Sequence, residues 1–551
     1  MGQLLPAVPA GLPGQHRPGV CPPGALSRSP SLPCLPVVAG GTCTGDEVSP
    51  ESVNGGVDVM KTLVRSIGWH ANLAPERCAL LGDRGGVRYA ELPEQIRCCS
   101  EALPGQVVGL LMENGPAWMI ADLALGCSGR TCVPLPPFFS RRQLGHVLED
   151  AGVDCVVTDR PREIGNLLPE ARQSRLRIGD ETLYCFRRTL PVRPDLEGVA
   201  KLTYTSGTTG TPKGVCLENE TMMRVVESLR WAVGAREGDR FLSLLPLATL
   251  LENLALYVSL SVGGMACLPR LSDPGLSMTG MSARALTGLI ERSRPNFLVL
   301  VPQLLRLLVS AVESGWPTPP SLRFIAVGGA AVSQRLLERA LALGLPVYEG
   351  YGLSEAASVV CLNRPGARRV GSVGRPLPHA EVRIADDGEV LVRGGLFRGY
   401  LGQRPHGKAW WPTGDLGYLD DQGYLYLNGR KQDRFTTAFG RNISPEWVER
   451  ELTVSPAIRQ ACVHGEGRPF VSALIVPAPT ATLHAVEQAV AEANARLPEY
   501  AAVRRFVIRS RPFSLVEGEL TPNGRLRRRV ILARHAEDFE RIYEENEDAV
   551  L

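Results

Sequence analysis

Residues Tyr204 to Gly214 read Tyr-Thr-Ser-Gly-Thr-Thr-Gly-Thr-Pro-Lys-Gly. None of these side chains can build a core. Gly207 and Gly210 let the backbone bend and approach a ligand closely. Successive N–H groups in such a bend form an anion-binding concavity. Thr205, Ser206, Thr208, Thr209 and Thr211 add hydroxyl donors, and Lys213 adds a full positive charge. The chemistry this composition suits is the grip of a triphosphate. Val199–Tyr204 predicts a short strand leading in, and a strand followed by such a loop is a common phosphate cradle. It is not a Walker loop, because Lys213 follows Pro212 and not a glycine. The blander reading is a flexible surface loop, which so dense a run of glycine and hydroxyl residues disfavours.

Other stretches carry side chains of the right kind. Tyr348-Glu349-Gly350-Tyr351-Gly352-Leu353-Ser354-Glu355 sets a hydroxyl and a carboxylate after a glycine-rich turn. A carboxylate so placed suits Mg2+, which takes one or two carboxylates together with phosphate oxygens. An N-capping turn ahead of Ala356 is the competing reading. Thr413-Gly414-Asp415 offers a carboxylate able to accept two hydroxyls, although alone such a tripeptide is usually a turn. Gly429-Arg430-Lys431-Gln432-Asp433 and Leu520-Thr521-Pro522-Asn523-Gly524-Arg525 each present an arginine near a glycine.

These loops need strands that end at one edge. From Lys61 on, strand and helix patterns alternate. Val107–Leu111, Thr131–Leu135 and Cys155–Val157 predict buried strands; Pro116–Gly126 and Arg141–Ala151 predict helices, the first opened by its proline. This is the signature of an α/β fold with parallel strands, which gathers ligands at strand carboxyl ends. Further on come a strand Phe241–Leu247, a helix Thr249–Leu260, a strand Pro295–Val301 and a helix Gln303–Ser314. The strand Leu322–Val327 runs into Gly328, Gly329, Ala330 and Ala331. After about Gly371 short β segments predict a small antiparallel barrel or sheet. From Lys431 a separate α+β domain is expected, with helices Pro445–Leu452, Thr480–Arg496 and Arg528–Glu544. The expected division is a disordered Pro/Gly-rich tail over 1–59, a large layered α/β domain over 60–430 with the small barrel-like part, and a smaller mobile domain over 431–551. An alternative for the tail is that translation starts at Met60.

Composition bounds the function. A chain of 551 residues exceeds one core. Its 44% apolar and 21% charged residues are those of a globular protein, and a net charge of +3 gives no reason to expect nucleic acid. No apolar run reaches about 18 residues, so no transmembrane helix is expected. The 14 cysteines lack any Cys-x-x-Cys spacing and read as reduced thiols of a cytoplasmic protein. Lysine occurs only at Lys61, Lys201, Lys213, Lys408 and Lys431; every other strongly basic residue is arginine.

In order and type these motifs resemble those of the adenylate-forming superfamily, which includes acyl-CoA synthetases, adenylation domains of peptide synthetases and luciferases. From Lys61 on the chain is most similar to long-chain acyl-CoA synthetases. The resemblance implies an enzyme that joins a fatty acid to ATP, releases pyrophosphate and passes the acyl group to a thiol, either coenzyme A or an acyl carrier protein. It implies that Thr205 to Gly210, Thr211 and Lys213 hold the phosphates, Glu355 binds Mg2+ and Ser354 meets the α-phosphate. Gly350, Tyr351 and Gly352 would lie along the adenine beside Gly329 and Ala330, Asp415 would clamp the ribose, and Arg430 would reach ribose and phosphates. Thr249, Asn253, Gly328 and Tyr348 would line the acid, Gln432 would be the hinge of a swinging C-terminal domain, and Gly440 would lie on the thiol's path. Weak contact with a membrane surface stays open for an enzyme of fatty acids.

The chain departs from the family pattern at several points. Arg525 stands where the family has its C-terminal catalytic lysine, and no lysine follows Lys431. Arginine keeps the charge but is longer, planar and not interchangeable with lysine. Three readings stay open: Arg525 acts as a slower or differently placed electrophile, adenylation leans on Lys213 and Mg2+, or the chain is a catalytically weakened relative; a non-catalytic nucleotide- or acyl-binding relative is the alternative from another class. Gln432 replaces the usual Asp or Lys, and Thr249 is smaller than the family's His or aromatic. The stretch before Thr249 has no Asp for an α-amino group, and its neighbours are apolar, which favours an uncharged acyl chain of medium to long length. Arg525, Arg527, Arg528 and Arg529 form a basic run, either a solvated face or a contact for the phosphates of coenzyme A or an acidic carrier.

Overall fold

The computed structural model describes residues 59–544 apart from 192, 206–211, 274–280, 406, 408 and 522–523. The tail expected over 1–59 lies, but for its last residue, outside the described residues. Among the described residues two large sheets dominate. One has nine strands, and its parallel part runs Val347–Tyr351, Phe324–Val327, Phe297–Leu300, Arg240–Leu242, Met265–Leu268 and Cys78–Gly82 in spatial order. The other has eight, with Gly399–Tyr400, Lys213–Leu217, Lys201–Thr205, Thr131–Pro134, Val107–Leu111 and Cys155–Thr158 as neighbours. Strands such as Val107–Leu111 are buried at every residue, as expected of parallel sheets covered on both faces.

The helix Pro116–Cys127 touches strands of both sheets. It is buried from Ala117 to Gly126, which fits a helix apolar on nearly all sides. Leu250–Ser261 is the second helix of this kind. Each carries a single acidic residue, Asp122 and Glu252, and both are buried.

The strand expected over Phe241–Leu247 stops at Leu242. Side chains take over the backbone groups beyond it. Glu252 Oε1 accepts from the N–H of Leu244 (2.8 Å) and Leu245 (3.3 Å), while Asn114 donates to Leu245 O (2.8 Å) and accepts from Leu247 N–H (2.9 Å). Burial pushes the Glu252 carboxyl up to about 8. The folded state therefore holds a proton that the unfolded chain releases near the ordinary carboxyl pKa of 4.5. Stability should fall as pH rises from about 5 to about 8, by an amount on the order of a few kcal/mol for this group. Glu252→Gln should flatten that fall, a difference read from urea unfolding midpoints across the same pH range.

The segment after Gly371 forms an open four-stranded antiparallel sheet, Glu381–Ile384, Glu389–Arg393, Trp411–Leu419 and Leu425–Arg430 in order, and not a closed barrel. The C-terminal part packs Pro445–Leu452 and Leu483–Asn494 against a sheet of Ile458–His464, Val471–Pro477 and Val503–Ile508. The single helix expected over Arg528–Glu544 is two, Arg528–Arg534 and Ala536–Glu544. At the break, the His535 ring lies between Asp538 Oδ2 (3.1 Å) and Glu519 Oε1 (3.2 Å). Ile531, Phe539 and Ile542 still share one cluster. Arg528 leaves the basic run altogether: its guanidinium is buried and forks onto both Glu449 oxygens at 2.5 and 2.7 Å. Among the described residues no helix is long and apolar enough to cross a membrane.

Candidate active site

Thr205 and Lys213 face each other across the antiparallel pair Lys201–Thr205 and Lys213–Leu217. The two strands are therefore the arms of a hairpin. Ser206, Gly207, Thr208, Thr209, Gly210 and Thr211 lie outside the described residues. Across Lys213–Leu217 runs Gly399–Tyr400, with Tyr400 opposite Val215. Lys213 Nζ sits 5.5 Å from the centre of the Tyr400 ring, and the Tyr400 hydroxyl donates to Glu355 Oε1 at 2.6 Å. Two residues widely separated in sequence, Lys213 and Glu355, are thus brought onto one phenol.

Glu355 lies in the short 3-10 turn Ser354–Ala356 beyond the strand Val347–Tyr351. The two residues after that turn, Ala357 (φ 46°) and Ser358 (φ 88°), adopt the left-handed region without being glycine. Such conformations persist only where surroundings over-determine them, and they concentrate at functional sites. Here the backbone folds back so tightly that a Cβ at Gly352 would collide with the Ser358 carbonyl. Only glycine fits position 352. Tyr351 turns to Asp415, donating to its Oδ2 at 2.7 Å, while Arg430 Nε lies 2.8 Å from the other oxygen. The three form a buried carboxylate framed by an aromatic and a guanidinium. A Cβ at Gly328 would come within 3.1 Å of the Gly350 carbonyl, so the Gly328–Ala330 turn abuts the same strand end.

The C-terminal part reaches this edge. Thr521 and Arg525 close a tight turn, with Thr521 N–H donating to Arg525 O (2.7 Å) and Arg525 N–H to the Thr521 hydroxyl (3.0 Å). From that turn Arg525 Nε donates to Gly329 O at 2.7 Å. Its terminal nitrogens have no hydrogen-bond partner among the described residues. Gln432 follows Lys431, whose ammonium pairs with Asp387 (2.6 Å) and Glu389 (2.8 Å) at the end of the four-stranded sheet.

Two expected acid-lining residues have partners within the protein. Asn253 is buried, donates to Asp122 Oδ2 at 2.8 Å and accepts from Lys201 Nζ. Lys201 also pairs with Asp122 Oδ1 at 2.7 Å, and Tyr257 donates to Asp122 Oδ2 at 2.6 Å. One helical turn separates Asn253 from Tyr257, so both point at this network. Tyr348 stacks on Phe324 with ring centres 4.3 Å apart and belongs to the main core. The period of two along Val347–Tyr351 sends it to the face opposite Tyr351. Thr249 stays at the start of the helix Leu250–Ser261, half-buried, with the loop before it pinned by Glu252 and Asn114. Sequence reading missed Asp122, Lys201, Tyr400 and Glu252. The lone acidic residue in each apolar helix was the available signal.

Among the described residues no group of three or more His, Cys, Asp or Glu could hold a metal ion by itself. Glu355 presents one carboxylate oxygen that takes no hydrogen bond from a described residue. A single carboxylate with one oxygen open fits Mg2+, which keeps waters and phosphate oxygens as its other ligands.

Residues 67–401 match the AMP-binding enzyme family, and residues 432–547 match the AMP-binding enzyme C-terminal domain. The chain belongs to the AMP-binding enzyme family. This AMP-binding enzyme is 28% identical to the long-chain-fatty-acid–CoA ligase FadD15 of Mycobacterium bovis over 83% of its own length and 92% of the relative's. It is 30% identical to a 2-succinylbenzoate–CoA ligase of Bacillus mycoides, over 74% of its own length and 86% of the relative's. Its fold is similar to that of the o-succinylbenzoate CoA synthetase of Bacillus subtilis in complex with an acyl-adenylate intermediate, at 26% identity and a TM-score of 0.68, covering 84% of this chain and 97% of that one. The same Bacillus enzyme with ATP and magnesium ion matches at the same TM-score and identity.

Proposed function

We propose that this AMP-binding enzyme is an AMP-forming acid–CoA ligase whose acid is a medium- to long-chain fatty acid. The observation that carries the reading is the convergence of Lys213 and Glu355 on Tyr400 at the mouth of the phosphate hairpin, with Arg525 reaching Gly329 from the C-terminal part. The ligase level is supported by both groups of relatives, which are acid–CoA ligases by name. The fatty level is supported by the apolar residues that flank Thr249, Leu247, Ala248 and Leu250, and by the likeness to the long-chain ligase. An aromatic keto acid is the rival substrate, favoured by the 2-succinylbenzoate ligases.

In the first step an acid oxygen attacks the α-phosphorus of ATP, the bond to the bridging oxygen breaks and pyrophosphate leaves. Lys213 and the loop N–H groups meet the charge that builds on the phosphates, and Arg525 meets the α-phosphate or the incoming carboxylate. Bound Mg2+, held on Glu355, would supply further charge neutralisation of the triphosphate. Asp415, framed by Tyr351 and Arg430, accepts the ribose hydroxyls. In the second step a thiolate attacks the acyl carbonyl and AMP leaves. A rotation about Gln432 would exchange the Arg525 turn for the segment around Gly440, so that the anhydride never faces water.

The test is ATP–pyrophosphate exchange with a panel of saturated fatty acids, 2-succinylbenzoate and simple aryl acids, followed by AMP release on adding coenzyme A or an acyl carrier protein. Exchange with fatty acids and release with coenzyme A are expected. Exchange with 2-succinylbenzoate alone overturns the fatty assignment, and the absence of exchange with every acid in protein that binds ATP overturns the ligase. Arg525→Lys is expected to change the exchange rate by less than about tenfold in either direction, because position 525 keeps its charge although the Nε bond to Gly329 O is lost and the donor geometry changes. A larger gain identifies Arg525 as the cause of a weakened enzyme.

A further inference from the structure

We propose that Tyr400 is a positioning residue of the adenylation step. Its hydroxyl fixes the Glu355 carboxylate for Mg2+, and its ring keeps the Lys213 ammonium beside Glu355 without letting the two charges close into an ion pair. This rests on the reading of Glu355 as the metal ligand and of Lys213 as a phosphate contact.

The geometry is specific. The hydroxyl gives one hydrogen bond, 2.6 Å long, to one carboxylate oxygen. The second oxygen is left to another ligand. Lys213 Nζ stands over the ring face at 5.5 Å, and Lys213 and Glu355 form no ion pair with each other. A cation over a phenol is attracted by the ring while keeping donors for an incoming anion. If the two charged groups paired, each would lose its partner in the triphosphate complex.

Tyr400 itself is held from several sides. Its backbone lies in the ladder with Val215, and the flanking Arg398 N–H and Leu401 N–H donate to Cys216 O (2.9 Å) and Gly214 O (2.8 Å). The approach is tight: a Cβ at Gly214 would come within 3.1 Å of the Tyr204 ring and 3.2 Å of Leu401. The Tyr400 ring meets Phe397 edge-on at 5.1 Å and Trp411 at 6.1 Å. Trp411 opens the strand that carries Asp415. Phe397 N–H donates to the Glu355 carbonyl at 2.8 Å, so the segment 397–400 grips Glu355 by backbone and side chain together.

Calorimetric ATP binding, with and without Mg2+, on the full-length protein reads this role without turnover. Tyr400→Phe keeps the ring and removes the hydroxyl. It should leave metal-free ATP affinity unchanged, weaken Mg2+-dependent ATP binding about five- to tenfold, and raise the Mg2+ concentration for half-maximal exchange similarly, with the KM for acid unmoved. Tyr400→Leu removes the ring as well and frees Lys213 to close on Glu355. It should weaken metal-free ATP binding, and Tyr400→Leu/Glu355→Gln should restore it. Equal Mg2+ dependence in wild type and Tyr400→Phe overturns the hydroxyl's role and leaves the ligase reading standing. Failure of the double variant to recover metal-free binding overturns the ring's role. A wild type whose ATP affinity ignores Mg2+ overturns both this proposal and the assignment of Glu355.

Discussion

Lys201→Met should destabilise the large domain by about 3–5 kcal/mol, the usual result of stripping the partner from a buried charge. Lys201 and Asp122 are almost fully enclosed, with side-chain exposures of 3% and 0%. Asp122 Oδ1 takes its bond from Lys201, while Oδ2 takes bonds from Asn253 and Tyr257. Met matches the length of Lys and packs in the same slot, so little of the loss comes from a cavity. What remains is a carboxylate in an apolar helix between two sheets with no counter-charge. Lys201→Met/Asp122→Asn should recover most of the loss, because a neutral amide can still accept from Tyr257 and bond to Asn253. Urea unfolding followed by tryptophan fluorescence is a direct readout, since buried Trp118 lies 5.9 Å from Lys201 Nζ. If the single variant is as stable as wild type, the pair is not ionised in the folded state. The consequence reaches the site: Lys201 opens the strand that ends at Thr205, and Asn253 and Tyr257 lie on the helix that starts beside Thr249. The network ties the strand that leads to Thr205 to the helices Pro116–Cys127 and Leu250–Ser261.

That network also marks the boundary of what was legible beforehand. The α/β architecture could be read because parallel strands such as Val107–Leu111 are uniformly apolar and are spaced by helices opening at proline, as at Pro116. Glu355 and Asp415 could be read as candidates because the motifs that hold them follow the phosphate-loop motif in the family's order, although Thr-Gly-Asp alone is usually a turn. Partners could not be read. Tyr400 meets Glu355 across 45 positions, and Lys201 meets Asp122 across 79. Nothing local distinguishes such a tyrosine from any other in a loop. The partners of Asn253 could not be read for a related reason. Its proximity to Thr249 suggested the acid pocket, while the Asp122 carboxylate that takes its amide bond lies 131 positions away in sequence. Arg528 was grouped with its neighbours as a basic run, yet the helix beginning there buries it on Glu449. Adjacent charges in sequence separate as soon as a helix forms.

Glu355→Gln should lower the rate of acid-dependent ATP–pyrophosphate exchange by roughly 10^2–10^3-fold, the scale of losing one preorganised electrostatic group at a reacting phosphate. Gln is nearly isosteric and still accepts from the Tyr400 hydroxyl, while the backbone bond from Phe397 N–H to residue 355 does not involve the side chain. The fold of the turn therefore survives, and the loss reports charge. The sign of a second effect separates a metal ligand from a structural carboxylate. With Mg2+ present, removing the negative ligand should weaken ATP binding. Without Mg2+, the native carboxylate repels the triphosphate, so the Gln variant should bind metal-free ATP as tightly as wild type or more tightly. A carboxylate that served only to hold Tyr400 would lower affinity in both conditions alike. Calorimetry in Mg2+ and in chelator gives the two numbers, and an exchange rate within tenfold of wild type would remove Glu355 from the metal site. Lys213 supplies the complementary case. Lys213→Ala should weaken ATP binding with and without Mg2+, because a cation that meets the phosphates directly needs no metal to act. A metal-dependent effect at Glu355 and a metal-independent one at Lys213, on either side of one tyrosine, are what a site for a magnesium–triphosphate complex requires.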